Sequence, residues 1–550
     1  MDKIKIKLNG KTYSVNSNLR LKDLIDKYHI KTKYPVLVAR VNNVLHELND
    51  PIEENSNIEF LDCTSRAGNR IYQKGLSFLL VCAVKDALGE DKEIKITHAI
   101  DKGVYIVPNF EVTEDILRQI TNKMNELVKL DIPIEKVSVK RLDAMEYYKA
   151  LNYSDKAKSL LYNTNTFVNL YRIDKHYNYF YSKLPISTKV FTKFKLQYID
   201  EKGFVIQTPV SYLDGKVTDY VHHEKMFEAF REYKEWISMI NVENISDLNY
   251  SIIKGRIKDL IRMSEVVYNN QLLYLARRIY DERDRIKMVL IAGPSSSGKT
   301  TTARKLSLYF RGFGLNPKVL SLDDYFKERE ESPKKEDGRY DFESLEAIDL
   351  ELFNDHMSKL LAGEEIVMPT FNFVTGKKEY VNTMKLEAND IIIIEGLHCL
   401  NERLTSSIAK ENKYKIYVSP LTELNIDRHN RVSSSDNRLL RRLARDYRTR
   451  GYTPEQILAA WSDVRMGEEK YVFPFQDEAD YIINTANIYE IAVLKTYVEP
   501  LLYNVSPASK YYEDAKRLLD LLRLFLAIPD KYVPDDAILR EFIGDGYYHD

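Results

Sequence analysis

Apolar and polar residues alternate at the start of the chain. Residues 3–15, KIKIKLNGKTYSV, alternate around Asn9-Gly10, which predicts a β-hairpin with a type I′ turn. A short amphipathic segment, LRLKDLIDKY, and two strand-like segments, PVLVARVNN and NIEFLDC, follow. The order strand, strand, helix, strand, strand predicts a small β-grasp domain over residues 1–63.

The hydrophobic pattern then changes three times. Residues 64–215 mix helices such as GLSFLLVCAVKDAL with strands such as GVYIVP, which predicts an α+β domain. Residues 216–286 predict a charged helical linker, which either packs the front half against the C-terminal half or forms the surface of a homo-oligomer. Residues 287–500 alternate strand and helix, which predicts an α/β domain with a parallel sheet flanked by helices. Residues 501–550 predict a C-terminal helical tail.

Composition narrows the function only slightly. A chain of 550 residues with 44% hydrophobic and 30% charged residues is typical of a protein with several folded domains. Its net charge of −1 demands neither nucleic acid nor a membrane as partner, and no apolar run is long enough to span a bilayer. The start, MDKIKIKLNGK, lacks the apolar core of a signal peptide. Three widely spaced cysteines favour a cytoplasmic location over a disulfide framework.

One glycine-rich bend separates a strand-like segment, KMVLIA, from a helix-like segment, TTTARKLSLYF. It fits the pattern G-x-x-x-x-G-K-[ST] with Gly293, Gly298, Lys299 and Thr300. Such a bend turns its amides inward around the phosphates of ATP, its lysine reaches the β- and γ-phosphates, and its threonine binds Mg²⁺. The predicted ATP-binding residues are Gly293, Ser295, Ser296, Ser297, Gly298, Lys299, Thr300 and Thr301.

Carboxylates follow two further strands of the predicted parallel sheet. PKVLSLDDYF places Asp323 and Asp324 after a strand, where a carboxylate either accepts a proton from a hydroxyl or caps a turn. NDIIIIEGLHCL ends a buried strand with Glu395, a position suited to the Mg²⁺ shell. The carboxyl ends of these strands therefore predict a phosphoryl-transfer site.

A cluster of arginines follows in RVSSSDNRLLRRLARDYRTRGY. Arg438, Arg441, Arg442 and Arg445 are spaced to lie on one face of a helix. Four guanidiniums on one face repel one another unless anions face them, which favours a clamp over phosphates. The alternatives are a solvated face with Asp446 as partner or a patch that binds RNA.

The ordered motifs GPSSSGKTT, SLDDYF, RYDFESLEAIDLELF, MPTFNFVTGKK, IIIIEGL, RLLRRLARD and KYVFPFQDEADYIIN resemble the uridine kinase and phosphoribulokinase family of P-loop kinases. The resemblance covers about 200 residues and implies transfer of the γ-phosphate of ATP to a hydroxyl, usually that of a pyrimidine nucleoside. It implies that Asp323 is the general base, that Asp341 holds ribose hydroxyls and that Glu395 lies near Mg²⁺. It also implies that Arg438, Arg441 and Arg442 belong to a mobile lid, with Arg438 contacting substrate.

One motif departs from that family. Uridine kinases carry P-x-Y-D-F-x-x-H, whereas this chain has PTFNFVTG, with Phe371 for the tyrosine, Asn372 for the aspartate and Gly376 for the histidine. Phe371 can still stack on a base, but the hydrogen bond of the histidine is lost. The residues for phosphoryl transfer are therefore expected to be intact, while the identity of the acceptor molecule is left undecided by the sequence.

The front half resembles the N-terminal region of threonyl-tRNA synthetase, a TGS-type domain followed by an editing domain, through SFLLVCAVKDAL and ITHAIDKGVYIVP. The editing motifs H-x-x-x-H and C-x-x-x-H fall on Lys74 and Phe78, and on Phe180 and Leu184. The resemblance implies a scaffold without hydrolytic activity that can still bind RNA or a small ligand. His176, His222 and His223 are scattered, and we interpret them as surface residues.

Three functions are consistent with these observations. The first is a cytosolic ATP- and Mg²⁺-dependent kinase of a nucleoside. The second is a kinase of a sugar phosphate or another small alcohol, which the loss at Gly376 and the nearby Lys377 and Lys378 favour. The third is an RNA- or ribosome-associated protein that uses ATP as a switch.

Overall fold

The structure is a computed structural model that describes residues 3–336, 338–372 and 375–548. Phe373 and Val374 of the departing motif lie outside the described residues. No described helix combines the length and apolar composition needed to cross a membrane.

The first sheet contains five strands around one short helix. The elements are β1 (Lys3–Leu8), β2 (Lys11–Asn16), α1 (Leu21–Lys27), β3 (Val38–Val41), β4 (Val44–His46) and β5 (Ser56–Leu61). The predicted hairpin is confirmed, since β1 pairs with β2 and the turn residues Asn9 and Gly10 have φ of 47° and 81°. The prediction missed β4, which forms because Asn42 and Asn43 adopt positive φ and reverse the chain after β3.

Two antiparallel sheets and four helices form the next region. The elements are α2 (Arg66–Leu88), β6 (Ile94–Ile100), β7 (Gly103–Pro108), α3 (Glu114–Lys129), β8 (Ile134–Lys140), α4 (Arg141–Ala150), α5 (Ser154–Leu161), β9 (Phe167–Ile173), β10 (His176–Asn178), β11 (Lys195–Asp200) and β12 (Gly203–Gln207). The sheet orders are β10-β9-β8 and β11-β12-β7-β6. Helix α2 is buried along most of its length, because its own residues from Leu76 to Val84 are nearly all apolar and therefore cover every side of the helix.

Three helices then connect the front half to the C-terminal half: α6 (Glu224–Met239), α7 (Ile245–Ile253) and α8 (Ile257–Asp281). Phe230 of α6 stacks on His98 of β6, with ring centroids 3.8 Å apart. Ile237 of the same helix and Ile261 of α8 are buried in the core of the C-terminal half. Of the two roles considered for this segment, the contacts show packing between the halves.

A five-stranded sheet of order β14-β17-β13-β18-β19, parallel at each pairing, forms the centre of the C-terminal half. The elements up to the sheet's last strand are β13 (Met288–Ala292), α9 (Lys299–Gly312), β14 (Asn316–Ser321), α10 (Leu350–Leu361), β15 (Ile366–Asn372), β16 (Lys377–Met384), β17 (Asp390–Glu395), β18 (Lys413–Ser419), α11 (Ser434–Arg450), α12 (Pro454–Tyr471) and β19 (Tyr481–Asn484). The predicted α/β class with a parallel sheet is confirmed. Strands β15 and β16 form a separate hairpin.

The chain ends with α13 (Glu490–Tyr503), α14 (Tyr512–Leu522) and α15 (Arg540–Ile543). The boundary predicted at residue 500 is wrong, because it falls inside α13. Leu518 and Phe542 of the predicted tail share one core with α11, α12 and α13. The last segment is therefore part of the C-terminal half and reaches the loop after β13.

Candidate active site

The loop between β13 and α9 has the conformation of a phosphate-binding loop. A Cβ at Gly293 would lie 2.1 Å from the carbonyl oxygen of Val418, so only glycine allows this approach to β18. Gly298 has a φ of 88°, and a Cβ there would lie 2.4 Å from Ile538. Both glycines are thus required by the fold of the loop.

The polar groups of this loop are prepared for anions. The amide of Ser295 donates to Glu468 at 2.9 Å, and the amide of Thr301 donates to Glu541 at 3.3 Å. The buried hydroxyls of Ser296 and Ser297 have no hydrogen-bond partner among the described residues. Amides that bind carboxylates and unpaired buried hydroxyls together indicate a site for phosphate oxygens.

Lys299 begins α9 and folds back along the loop, where its Nζ donates to the carbonyl oxygens of Gly293 at 3.1 Å and Pro294 at 3.4 Å. The next residue, Thr300, donates its hydroxyl to Glu395 at 3.1 Å. Lysine and threonine therefore face the carboxyl end of the neighbouring strand β17.

Three adjacent strands bring the predicted groups together. Ser321 of β14 and Ile291 of β13 both lie in register with Glu395 of β17, so the strands end at the same level. Asp323 follows β14 in a short 3₁₀ turn and donates its amide to Ser321 at 3.3 Å. The loop, Glu395 and Asp323 consequently surround one cleft at the carboxyl edge of the sheet.

The electrostatics of this cleft reflect several carboxylates and one lysine. Burial raises the pKa of Glu395 to about 7, while Lys299 opposes the rise and the charges of Asp323 and Glu541 add to it. The carboxyl of Asp323 keeps contact with solvent, but the protein atoms around it still raise its pKa, again against Lys299. A cation in the cleft would relieve this excess of negative charge.

The arginines of α11 contact the loop, but not as the sequence predicted. Arg438 donates to the carbonyl oxygen of Ser295 at 2.9 Å and forms a buried ion pair with Glu468. Arg441 is fully buried, donates to the carbonyl oxygen of Thr485 at 2.7 Å and pairs with Glu490. The sequence predicted that phosphates would face these two arginines. In the structure, the carboxylates of Glu468 and Glu490 face them instead.

Arg442 differs from its neighbours. Its guanidinium donates to the hydroxyl of Ser295 at 2.9 Å and pairs with Asp446, and burial lowers its pKa. Asp446, an alternative partner predicted for this arginine face, also pairs with Arg445 at 2.8 Å. Arg442 is therefore the predicted lid arginine that touches a loop side chain directly.

The predicted acceptor residues contact other residues of the C-terminal half. Asp341 accepts a hydrogen bond from Tyr471 at 3.3 Å. Phe371 of β15 is buried, packs against Phe326 with ring centroids 5.7 Å apart, and donates its amide to Asp324 at 3.3 Å. Asp324 thus anchors β15, whereas Asp323 faces the loop.

The position that carries histidine in uridine kinases is filled by another side chain. Gly376 has a φ of 72°, and a Cβ there would lie 2.8–3.1 Å from Arg329. The amide of Arg329 also donates to the carbonyl oxygen of Gly376 at 2.9 Å. An arginine therefore covers the place where that histidine would extend.

Two acidic residues of the cleft were not foreseen. Burial, together with the charge of Glu468, raises the pKa of Glu343 to about 7. Glu541 accepts a hydrogen bond from the hydroxyl of Thr301 at 2.6 Å, although 240 residues separate them. Glu343 lies two residues after Asp341, within the motif RYDFESLEAIDLELF, so the sequence could have indicated that it lies near the site. Nothing in the sequence connects Glu541 to the loop.

The front-half residues singled out by the sequence are largely buried. Phe78 and Phe180, taken from the two altered editing motifs, pack together with ring centroids 5.5 Å apart. The interpretation of His176 and His223 as surface residues is wrong, since both are buried and paired with acidic residues, His176 with Asp86 at 2.9 Å.

Comparisons with known proteins agree with the geometry of the C-terminal half. Residues 288–492 match the model of the phosphoribulokinase / uridine kinase family. The site and this match define a P-loop kinase, an enzyme that transfers phosphoryl groups.

Individual proteins similar to this chain are named as uridine kinases. Uridine kinase from Borreliella burgdorferi strain ZS7 is 28% identical over 218 residues, which cover 39% of this chain and 95% of that protein. Uridine kinase from Borrelia duttonii strain Ly is 29% identical over 237 residues, which cover 41% of this chain and 100% of that protein. A solved structure of a possible uridine kinase from Bacillus stearothermophilus is 18% identical, with a TM-score of 0.28, and covers 39% of this chain and 98% of its own.

Proposed function

We propose that this chain is an ATP-dependent kinase whose acceptor is the hydroxyl of a nucleoside. The observation that carries the proposal is the meeting of the loop, Glu395 and Asp323 at the ends of three neighbouring parallel strands. This arrangement supports in-line transfer, because it faces a triphosphate site with a carboxylate that can receive a proton.

In the proposed reaction, the acceptor oxygen attacks the γ-phosphorus of ATP and the bond to the β–γ bridging oxygen breaks, which releases ADP. Asp323 orients the acceptor hydroxyl and takes its proton. The loop amides and Lys299 hold the triphosphate, and Arg442 neutralises the charge on the transferring group from its position beside Ser295. Arg438 and Arg441 hold the loop itself in shape through its backbone carbonyl groups.

The residues of the cleft fit Mg²⁺. The hydroxyl of Thr300 and the carboxylate of Glu395 offer two oxygen atoms 3.1 Å apart. Adjacent ligands of an octahedron with bonds of about 2.0–2.1 Å lie at nearly this separation. Thr300 and Glu395 would hold the ion, which supplies charge neutralisation to the phosphates when bound.

A nucleoside acceptor is supported by the relatives, which are named uridine kinases. Asp341 would bind the ribose hydroxyls and Phe371 would stack on the base, as the family resemblance implies. Phe371 donates its amide to Asp324, the residue next to Asp323, and Asp341 accepts a hydrogen bond from Tyr471.

A second acceptor class has one observation in its favour. Arg329 covers Gly376, so a cation occupies the place where uridine kinases carry a histidine. A guanidinium there favours an acceptor that already bears a phosphate, such as a sugar phosphate. Chromatography of the labelled product separates the two acceptor classes.

For the front half, we propose a β-grasp domain of the TGS type followed by an editing-like domain that has lost hydrolytic activity. The strand order β2-β1-β5-β3-β4 supports the first part. The packing of Phe78 against Phe180 supports the second, because apolar rings at these positions offer no ligand to a metal or to water.

The three cysteines are buried and unpaired, which supports the proposed cytosolic location.

The kinase proposal is tested by incubating the purified full chain with γ-labelled ATP, Mg²⁺ and a panel of nucleosides and sugar phosphates. We expect one acceptor to gain the label, and kcat/KM to fall about 10³-fold in Lys299→Ala, since a preorganised charge on the phosphates is removed. Lys410→Ala, which changes an exposed lysine shortly before β18, is the control. Full activity in Lys299→Ala, or no labelled acceptor, would refute the proposal.

A further inference from the structure

A large cavity lies between the front half and the C-terminal half, apart from the cleft described above. Its volume is about 860 Å³, within the range of small-molecule sites. Helix α2, the segment before α11 and helix α14 all contribute to its lining, whereas none of residues 293–301 does. The kinase reaction proposed above leaves this space unexplained.

The walls of this cavity are strongly basic. Nine lysine or arginine residues line it against four acidic residues. Arg66, Arg70 and Lys74 follow one another at intervals of four residues, so they extend from one face of α2. Arg431, from the segment before α11, lies close enough for its charge to lower the pKa of Lys74. Like charges gathered in this way destabilise the protein unless an anion lies among them.

Protein carboxylates balance only part of this charge. Arg70 pairs with Glu513 at 3.1 Å. The half-buried side chains of Arg66, Lys74 and Arg431 form no hydrogen bond or ion pair with any residue that the structure describes. Burial lowers the pKa of all three, and that of Lys74 falls to about 8, although the charge of Asp436, which also lines the cavity, acts in the opposite direction on each. Three cations therefore line one cavity without a hydrogen-bond or ion-pair partner in the described part of the chain.

The rest of the lining suits an organic molecule better than a bare ion. The amide side chains of Asn163, Asn165 and Asn169 and the ring of Phe180 face the same space. Amides can donate and accept hydrogen bonds, and an aromatic ring offers a stacking surface. A ligand with a phosphate at one end and a polar, partly apolar body at the other would match both parts.

We propose that this cavity binds a phosphorylated small molecule of nucleotide size, with Arg66, Lys74 and Arg431 as its phosphate ligands. Arg431 lies three residues before α11, and α11 also carries Arg438, which contacts Ser295 of the phosphate-binding loop. One helix thus connects the two sites, so an occupant of the cavity touches the element that shapes the loop.

The proposal is tested by calorimetric titration of the full chain with inorganic pyrophosphate as the probe. The variant Lys299→Ala, which weakens the phosphate-binding loop and leaves the cavity lining unchanged, distinguishes the two sites, because pyrophosphate binding that persists in it reports a further site. We expect one such site, with affinity at least about tenfold weaker in Lys74→Met and in Arg431→Met, because each removes a charged phosphate ligand. Lys140→Met, which changes an exposed lysine outside the cavity, should bind as the native chain does.

Folding of the variants is checked by thermal unfolding without phosphate, where loss of an unpaired cation should leave the melting temperature unchanged or higher. Absence of the further site, or equal affinity in the native chain and both cavity variants, would overturn the proposal. Equal weakening in Lys140→Met would instead indicate diffuse attraction and would also overturn it. Binding of single-stranded RNA without binding of pyrophosphate would assign the cavity to a nucleic acid and refute a small phosphate ligand.

Discussion

Two basic regions of this protein differ in what faces their cations. On α11, Arg438 pairs with Glu468 and Arg441 pairs with Glu490, and all four side chains are buried. In the cavity between the halves, no described carboxylate forms an ion pair with Arg66, Lys74 or Arg431. The sequence pointed to the first region as a phosphate clamp, yet the second has the unbalanced charge.

The difference shows that the density of arginine in a sequence is a poor guide to anion binding. What matters is whether carboxylates from distant segments reach the same place. Glu468 and Glu490 come from α12 and α13, and they convert most of the α11 face into structural support for the loop. A cation that is paired with a carboxylate, here called balanced, should stabilise the fold. A cation without such a pair, here called unbalanced, should lower the stability until a ligand binds.

Removal of a balanced cation should give the largest effect on stability. We expect Arg441→Ala to lower the free energy of unfolding by about 3–5 kcal/mol, because Glu490 would remain as a buried, unpaired charge. Arg450→Ala on the same helix should change it by less than about 1 kcal/mol, since that side chain is half exposed. Denaturant unfolding of both variants checks this, and equal effects would contradict the assignment of Arg441 as a structural residue.

Removal of an unbalanced cation should have the opposite sign. We expect Lys74→Met to raise the free energy of unfolding by about 1–2 kcal/mol at pH 7, a value discounted for residual solvent contact. In the native chain, the unfolded lysine keeps its proton up to the ordinary pKa of 10.5, whereas the folded one loses it near 8. Between these pH values the unfolded state binds more protons, so native stability rises with pH.

The advantage of Lys74→Met should therefore shrink as pH rises from about 8 to 10.5. Unfolding curves at several pH values measure this difference directly. A variant less stable than the native chain at pH 7, or a difference independent of pH, would show that Lys74 is balanced after all.

A smaller effect concerns the carboxylate already bound at the loop. Glu541 accepts hydrogen bonds from the amide and hydroxyl of Thr301, so it adds negative charge where ATP phosphates are proposed to bind. We expect Glu541→Gln to increase affinity for a non-hydrolysable ATP analogue about tenfold. Asp536→Asn, in the same segment but paired with Lys305, is the control. Weaker binding in Glu541→Gln would mean that Glu541 supports the loop rather than opposes the nucleotide.

Local patterns predicted the fold elements near the site well. The apolar run of β13 and the run of isoleucines in β17 are short, buried and bounded by polar residues, which is enough to place them in a parallel sheet. The alignment of Asp323 and Glu395 is a consequence of that sheet, because the ends of adjacent parallel strands meet.

Contacts between distant segments could not be predicted in this way. The bond between Glu541 and Thr301 spans 240 residues, and the ion pair between Arg441 and Glu490 spans 49. Neither has a local signature, since an acidic residue on a helix is ordinarily exposed to solvent. The cavity likewise depends on how the two halves pack, which hydrophobic periodicity does not specify.

The most direct test of the central claim compares two adjacent aspartates. Asp323 faces the loop, whereas Asp324 accepts a hydrogen bond from the amide of Phe371. The two side chains are therefore chemically identical but lie in different surroundings. In single-turnover transfer from γ-labelled ATP to the acceptor, we predict that Asp323→Asn lowers the rate by about 10²-fold or more and that Asp324→Asn lowers it by less than about tenfold. Equal rates in the two variants, or a larger loss in Asp324→Asn, would contradict the assignment of Asp323 as the proton acceptor of a phosphoryl-transfer site.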